Sequence, residues 1–283
     1  MISIKSGASM ISPEEARLIE PYFAEGKASE IAMHQVEKIS AETGISLRKI
    51  EWFAIRKGVV PRRYLRNLGV FSYAGQLKLL ESTVVLIGLG GLGGQLVEQL
   101  GRAGVGKITA ADPDAFDETN LNRQLLSNET NLEKEKVYNA KERLKNINKA
   151  VEFTGFLCRF DELPDEVWST ANLVFDCLDN IDDRLVLAQK CSASNRPLVH
   201  GAIAGWYGEV GVVWPGSGIL EKHYQGQHEG LEKELGTPPF TAAVAASLMA
   251  AKGCQILMGK YQPKQSTLCF FDLLEDDWEN IQL

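Results

Sequence analysis

The sequence predicts an α/β fold: a mostly parallel sheet with helices on both faces, extra antiparallel strands towards the C-terminus, and an N-terminal helical extension. Three observations carry this. Short apolar runs alternate with amphipathic segments from about residue 83 onwards, the alternation that builds parallel sheets. The first run empties into glycines, as VVLIGLGGLGG over residues 84–94. Near residue 60 the pattern changes character at PRRYLRN, dividing the chain into residues 1–60, helical, and 61–283, alternating.

The helical part begins at SPEEARLIE, where a serine followed by acidic residues marks a helix start. KASEIAMHQVEKISAETG then carries apolar residues at helical spacing up to a terminating glycine, and SLRKIEWFAIRKG adds a third short helix. The turn at TGIS gives a superficial helix-turn-helix pattern without a basic recognition face. The extension is therefore read as packing on the main domain or on a dimer partner.

In the second part VVLIG, KITAAD, VEFTGF, NLVFDC and PLVHG are strand candidates. The helices between some of them run over Gly91 to Ala103, Glu133 to Asn146 and Asn180 to Ser194. GEVGVVW and STLCFFDLL are further strands, flanking a helix from Thr241 to Met258. That helix is alanine-rich and interrupted by Lys252, which makes it a buried helix rather than a membrane span.

Composition narrows the function. A net charge of −7 argues against a nucleic-acid-binding face, and MISIKSGASM has no signal-peptide core, so a cytoplasmic protein is expected. The five cysteines form no CxxC pair and no zinc site, and His223 with His228 lacks a third ligand.

Gly88, Gly90 and Gly93 have the GxGxxG spacing of a Rossmann-like turn, where a strand enters a helix and the backbone meets a phosphate. Asp112, ending the next strand, suits the ribose of either NAD or ATP. The two part at DPDAFDETNLNRQLL: Asn120, Arg123 and Gln124 sit on a loop able to fold over phosphates, and Lys136 adds a second cation. In VFDCLDNIDDR, Asp179 is placed to hold Mg²⁺ on phosphate oxygens, Asn180 to cap the next helix or touch the nucleotide, and Asp176 to make a structural hydrogen bond or bind metal. A triphosphate accounts for this set better than a nicotinamide.

Together these residues resemble the ThiF/MoeB/HesA family, bacterial relatives of ubiquitin-activating enzymes. The resemblance runs from Arg63 to Lys260 through RYLRN, GLGGLGG, DPD, NLNRQ, the lysine thirteen residues after the arginine, DCLDN and PLVHGAIAGWYGEVGVV. It implies an ATP- and Mg-dependent adenylyltransferase, a homodimer, that activates the C-terminal glycine carboxylate of a ubiquitin-like sulfur carrier ending in GlyGly, for molybdopterin or thiamine biosynthesis. Gly88, Gly90 and Gly91 would approach the phosphates, with Asp112 on the ribose and Asp114 in the same nucleotide motif. Asn120, Arg123, Gln124 and Lys136 would hold the triphosphate, Asp179 the Mg²⁺ with Asn180 beside it, and Arg66 would reach in from the partner subunit. Arg123, Lys136, Asp179 and Arg66 are the implied catalytic set.

The chain departs from the family pattern in lacking the zinc CxxC pairs and any cysteine between residues 215 and 240. No covalent cysteine step is expected, and the 215–240 loop reads as mobile. Adenylation of a small-molecule or peptide carboxylate is the alternative, followed by a non-catalytic nucleotide-binding protein.

Overall fold

A computed structural model describes residues 10–23, 29–227, 230–261 and 266–281. The N-terminal part comprises α1 (Pro13–Ile19), β1 (Glu30–Ile31), α2 (Met33–Thr43), α3 (Leu47–Arg56) and β2 (Val60–Pro61). Ser12 caps α1 in a reciprocal box with Glu15, and Gly44 ends α2 in the left-handed conformation. The three helices are those expected. The parallel β1–β2 ladder is not: it occupies residues the sequence assigned to the start of the second helix and to the boundary. These elements enclose their own core of Ile19, Val36, Ile50, Phe53 and Ile55, which Tyr64 and Leu80 of the second part complete. The extension is thus welded to the main domain.

The second part continues with α4 (Leu68–Glu81), β3 (Thr83–Ile87), α5 (Gly91–Ala103), β4 (Lys107–Ala111), α6 (Lys136–Ile147), β5 (Glu152–Phe156), α7 (Asp165–Thr170), β6 (Leu173–Asp176) and α8 (Ile181–Ala193). It closes with β7 (Leu198–Ala204), β8 (Tyr207–Val213), α9 (Ile219–His223), α10 (Glu232–Leu235), α11 (Pro239–Leu257), β9 (Thr267–Asp272) and β10 (Asp277–Ile281). The eight-stranded sheet runs β10-β9-β8-β7-β6-β3-β4-β5, parallel from β7 to β5 and antiparallel from β7 to β10.

Alternation along β3 sends Val84 and Leu86 to one face, with α5, α6 and α11, and Val85 and Ile87 to the other, with α7, α8 and α9. Helix α11 is the one described helix long and apolar enough to span a bilayer; its Ala245, Ala246 and Met249 are fully buried in the first of these cores. Segment 215–240, read as a mobile loop, carries α9 and α10 among its described residues and is tied to the sheet, because Gly205 N–H donates to Gly236 O at 2.7 Å.

Strand β3 has β4 on one side and β6 on the other, so the chain reverses its direction of travel across the sheet there. The crevice at the C-terminal ends of β3 and β6 is where such sheets bind ligands.

Candidate functional site

The glycine turn lies in that crevice. Gly88, at φ +92°, abuts the Cys177 carbonyl of the β6 loop, and a Cβ on Gly93 would land in the Gly88 carbonyl. Both positions exclude any side chain for packing reasons alone. Gly90 and Gly91 differ: a Cβ on Gly91 would meet only Ala242 Cβ and Arg123 Cγ at 3.6 Å, and one on Gly90 only the Gln124 amide at 3.6 Å. These two are bare where a ligand can approach.

The loop of Asn120, Arg123 and Gln124 does fold back over the turn. Arg123, half-buried, uses Nη1 to reach Thr119 O and Asn122 Oδ1 at 3.1 and 2.7 Å. Gln124 is buried beside Gly90, and its Oε1 has no hydrogen-bond partner among the described residues. The amide atom nearest Gly90 is Nε2, a donor that suits an acceptor ligand over the bare glycine. Asn120 receives the Asp117 N–H on its Oδ1 at 3.2 Å, closing the turn that presents Arg123.

For Asp112 the structure adds a role. It is buried, its Oδ2 accepts from Leu89 N–H at 2.6 Å, and its Oδ1 accepts from Asp114 N–H at 2.8 Å. Burial pushes its carboxyl up against the opposing Lys136 charge and the two amides. Asp112 therefore also holds the glycine turn in shape, and each of its oxygens keeps a further lone pair for a ribose hydroxyl. The exposed carboxylate of the DPD motif is Asp114. Lys136, the first residue of α6, is also buried and places Nζ 2.9 Å from Asp114 Oδ2 and 3.8 Å from Asp112 Oδ1. Its charge is therefore shared with the two aspartates.

Asp179 is exposed on the loop leaving β6, and Asn180 caps α8 by accepting from Asp183 N–H at 2.8 Å. Of its two expected roles, capping is the one displayed. No group of three or more His, Cys, Asp or Glu is placed to hold a metal among the described residues, and His228 lies outside them. Arg66 stands apart on the turn into α4, exposed and without a hydrogen-bond or ion-pair partner among the described residues.

Sequence reasoning missed the surroundings of Asp179. A cavity of about 780 Å³ opens between the antiparallel strands and residues 223–227 and 230–232, lined by Asp179, Arg184, Tyr207, His223, Leu231 and Phe270 among others. Its inner wall is a chain of polar groups. His200 Nδ1 lies 2.7 Å from Asp176 Oδ2, and its Nε2 lies 3.0 Å from Glu209 Oε1. Glu209 Oε1 also accepts from Tyr224 OH, and its Oε2 lies 2.7 Å from His223 Nε2. With carboxylate oxygens on both ring nitrogens, His200 must donate from both. Burial opposes its charge, but the hydrogen bonds from Asp176 and Glu209 raise its pKa overall. Burial likewise disfavours the Glu209 anion, and bonds from His200 and His223 override it, holding the carboxyl well below the usual range. The available signal was a His inside the apolar run PLVHG and a Glu inside GEVGVV.

Comparison with known proteins shows the family. The ThiF family profile matches residues 64–283. The chain is 31 % identical over 237 residues to the sulfur carrier protein ThiS adenylyltransferase of Escherichia coli (strain K12), covering 78 % of this chain and 90 % of that protein. It is 30 % identical over 229 residues to the molybdopterin-synthase adenylyltransferase of the same organism, covering 78 % and 92 %. Among solved structures, E. coli MccB with ATP has a TM-score of 0.65 at 18 % identity, covering 87 % of this chain and 82 % of that one, a likeness of fold.

Proposed function

This chain belongs to the ThiF family, and from that premise we propose that it is an ATP-dependent adenylyltransferase activating the C-terminal carboxylate of a ubiquitin-like sulfur-carrier protein, with release of pyrophosphate. The observation that carries the reading is the bare face of Gly90 and Gly91, overhung by Arg123 and by the Gln124 amide, whose Nε2 is the atom nearest Gly90. Dinucleotide binding needs the glycines; it gives no use to a guanidinium folded onto them.

A carboxylate approaching a triphosphate is opposed by charge, and the site answers that opposition. Arg123 presents a planar fork to the phosphates, and Lys136 lies close enough to share its proton-bearing nitrogen between Asp114 and a neighbouring ligand oxygen. Asp112, buried, and Asp114, exposed, are the two carboxylates offered to the ribose. Asp179, exposed on the loop leaving β6, is the carboxylate that would hold a Mg²⁺ beside the phosphates, and such an ion would supply charge neutralisation there. The substrate is already ionised, so the chain needs no general base, only alignment. Burial raises the thiols of Cys177, Cys191 and Cys254, which supports a mechanism without a covalent cysteine step. Free cysteines throughout the described residues suit a cytoplasmic setting.

A homodimer is part of the proposal. Arg66 is exposed without a partner among the described residues, and Leu65, Val70 and Tyr73 beside it are exposed apolar side chains. Such a face is covered in an assembly.

The test is exchange of labelled pyrophosphate into ATP, with carriers ending in GlyGly and with small carboxylates. Carrier-dependent exchange is expected, and Arg123→Ala should lower it at least about a hundredfold with an unchanged circular dichroism spectrum. Exchange with a small acid alone would move the assignment to the alternative substrate class. Near-normal exchange by a folded Arg123→Ala protein removes Arg123 from the site.

A further inference from the structure

The polar chain beneath the cavity ends on the loop that bears Asp179. Asp176 spends Oδ2 on His200 and uses Oδ1 to accept from Leu178 N–H at 3.0 Å. The Leu178 carbonyl accepts in turn from Arg184 Nη2 at 2.6 Å, while Arg184 Nη1 donates to Gly201 O at 3.1 Å. The residue immediately before Asp179 is therefore clamped on both sides of its peptide. At the other end, His223 and Tyr224, at the end of α9, line the outer side of the cavity. One continuous path of hydrogen bonds thus crosses β8, β7 and β6, from His223 through Glu209, His200 and Asp176 to Leu178.

Charge gives the path its rigidity. Asp176 and Glu209 are two buried carboxylates, and the buried cations facing them are His200 and Arg184. A buried carboxylate that loses one donor must find another or accept a proton, since unpaired charge in the interior is costly. With His223 gone, Glu209 Oε2 loses its partner, and the nearest donors left are His200 and Tyr224. Drawing His200 towards Glu209 loosens its hold on Asp176, and Asp176 is what fixes Leu178.

We propose that His223 is a positioning residue for the Asp179 loop, acting through Glu209, His200 and Asp176, so that the wall of the cavity and the metal carboxylate are held in register. The inference rests on the reading of Asp179 as a nucleotide-metal ligand only for its kinetic consequence. The structural consequence stands without it. A substrate tail entering the cavity would meet a wall whose placement and that of Asp179 are set together.

The experiment compares the full-length protein with His223→Ala, His223→Gln and Glu209→Gln. Amide hydrogen exchange, read by mass spectrometry without substrate, should accelerate about tenfold at Leu178 in His223→Ala, as for a lost hydrogen bond in a local opening. His223→Gln, which keeps a donor for Glu209, should restore most of the protection. Glu209→Gln keeps the shape and removes the charge, and should loosen Leu178 as His223→Ala does. In pyrophosphate exchange at saturating carrier, His223→Ala should raise KM for Mg·ATP several-fold more than it lowers kcat. Faster exchange confined to residues 219–224, with Leu178 unchanged in both His223→Ala and Glu209→Gln, would overturn the proposal. Absence of exchange with every carboxylate would instead overturn the adenylation reading, leaving the amide result to decide this one.

Discussion

Two glutamates, Glu51 and Glu209, are buried to nearly the same extent, at 0 % and 8 % exposure, and behave in opposite ways. Glu51, on α3, joins the helical extension to the main domain. Its Oε2 accepts from Tyr64 OH at 3.0 Å; its Oε1 sits 3.4 Å from Arg63 Nε and makes no hydrogen bond. Arg63 is turned instead towards Asn148, which also donates to Tyr64 OH at 2.9 Å. Burial therefore wins, against the Arg63 charge and the Tyr64 bond, and pushes the Glu51 carboxyl up to about 6. Glu209 faces three donors and stays ionised. Burial alone does not decide whether an interior acid is a charge. The number of donors aimed at it does.

The largest expected effect tests that contrast at its strong end. Glu209→Ala leaves His200, His223 and Tyr224 without their common acceptor, and should cost about 3–5 kcal/mol in urea denaturation. A loss under about 1 kcal/mol would show the network to be decorative.

The second effect is a difference of sign. The Glu51 carboxyl is raised in the folded state, so its contribution is complete below the ordinary value of 4.5 and is lost as pH climbs through about 6. The decline is about 2 kcal/mol, and Glu51→Gln should remove it. Glu209 is depressed, so its contribution is present above 4.5 and is lost as pH falls below it. Denaturation curves of wild type, Glu51→Gln and Glu209→Gln from pH 3.5 to 7.5 should show one variant flattening the alkaline side of that window and the other the acid side. Parallel curves would end the comparison.

The smallest effect separates the two tyrosines. Tyr64→Phe removes both the donor to Glu51 and the acceptor of Asn148, and should cost about 1–2 kcal/mol in the same assay. Tyr224→Phe leaves Glu209 with both histidines and should cost less, about 1 kcal/mol or under.

The elements that could be read from the sequence obey local rules. The apolar runs became β3 to β9, Gly91 to Ala103 is α5 to the residue, and Asn180 caps α8 as an Asn at a strand-to-helix junction should. Elements that escaped lack a local signal. Helix α4 buries Leu79 against one core and Leu80 against another, so it has no single apolar stripe, and it is broken at Ser72, where φ is 63°. Strand β10 is DWENI, an edge strand exposed along most of its length, with no alternation to betray it. The Glu209–His200 pair depends on register: Glu209 lies opposite Ala202, two residues from His200 on the same face, so the two meet diagonally. A one-residue slip would send them to opposite faces.

The nucleotide site divides along the same line. By itself the sequence determined the glycine turn, the loop of Arg123 and Gln124 that covers it, and the family, because each rests on residue types at short spacing. Only the tertiary structure decided what each carboxylate of the site touches. Asp112 and Asp114 are two residues apart and chemically identical, yet one has both oxygens bound to the amides of Leu89 and Asp114 and the other faces solvent. Which backbone amides and cations meet a carboxylate is settled by strands brought together from distant parts of the chain.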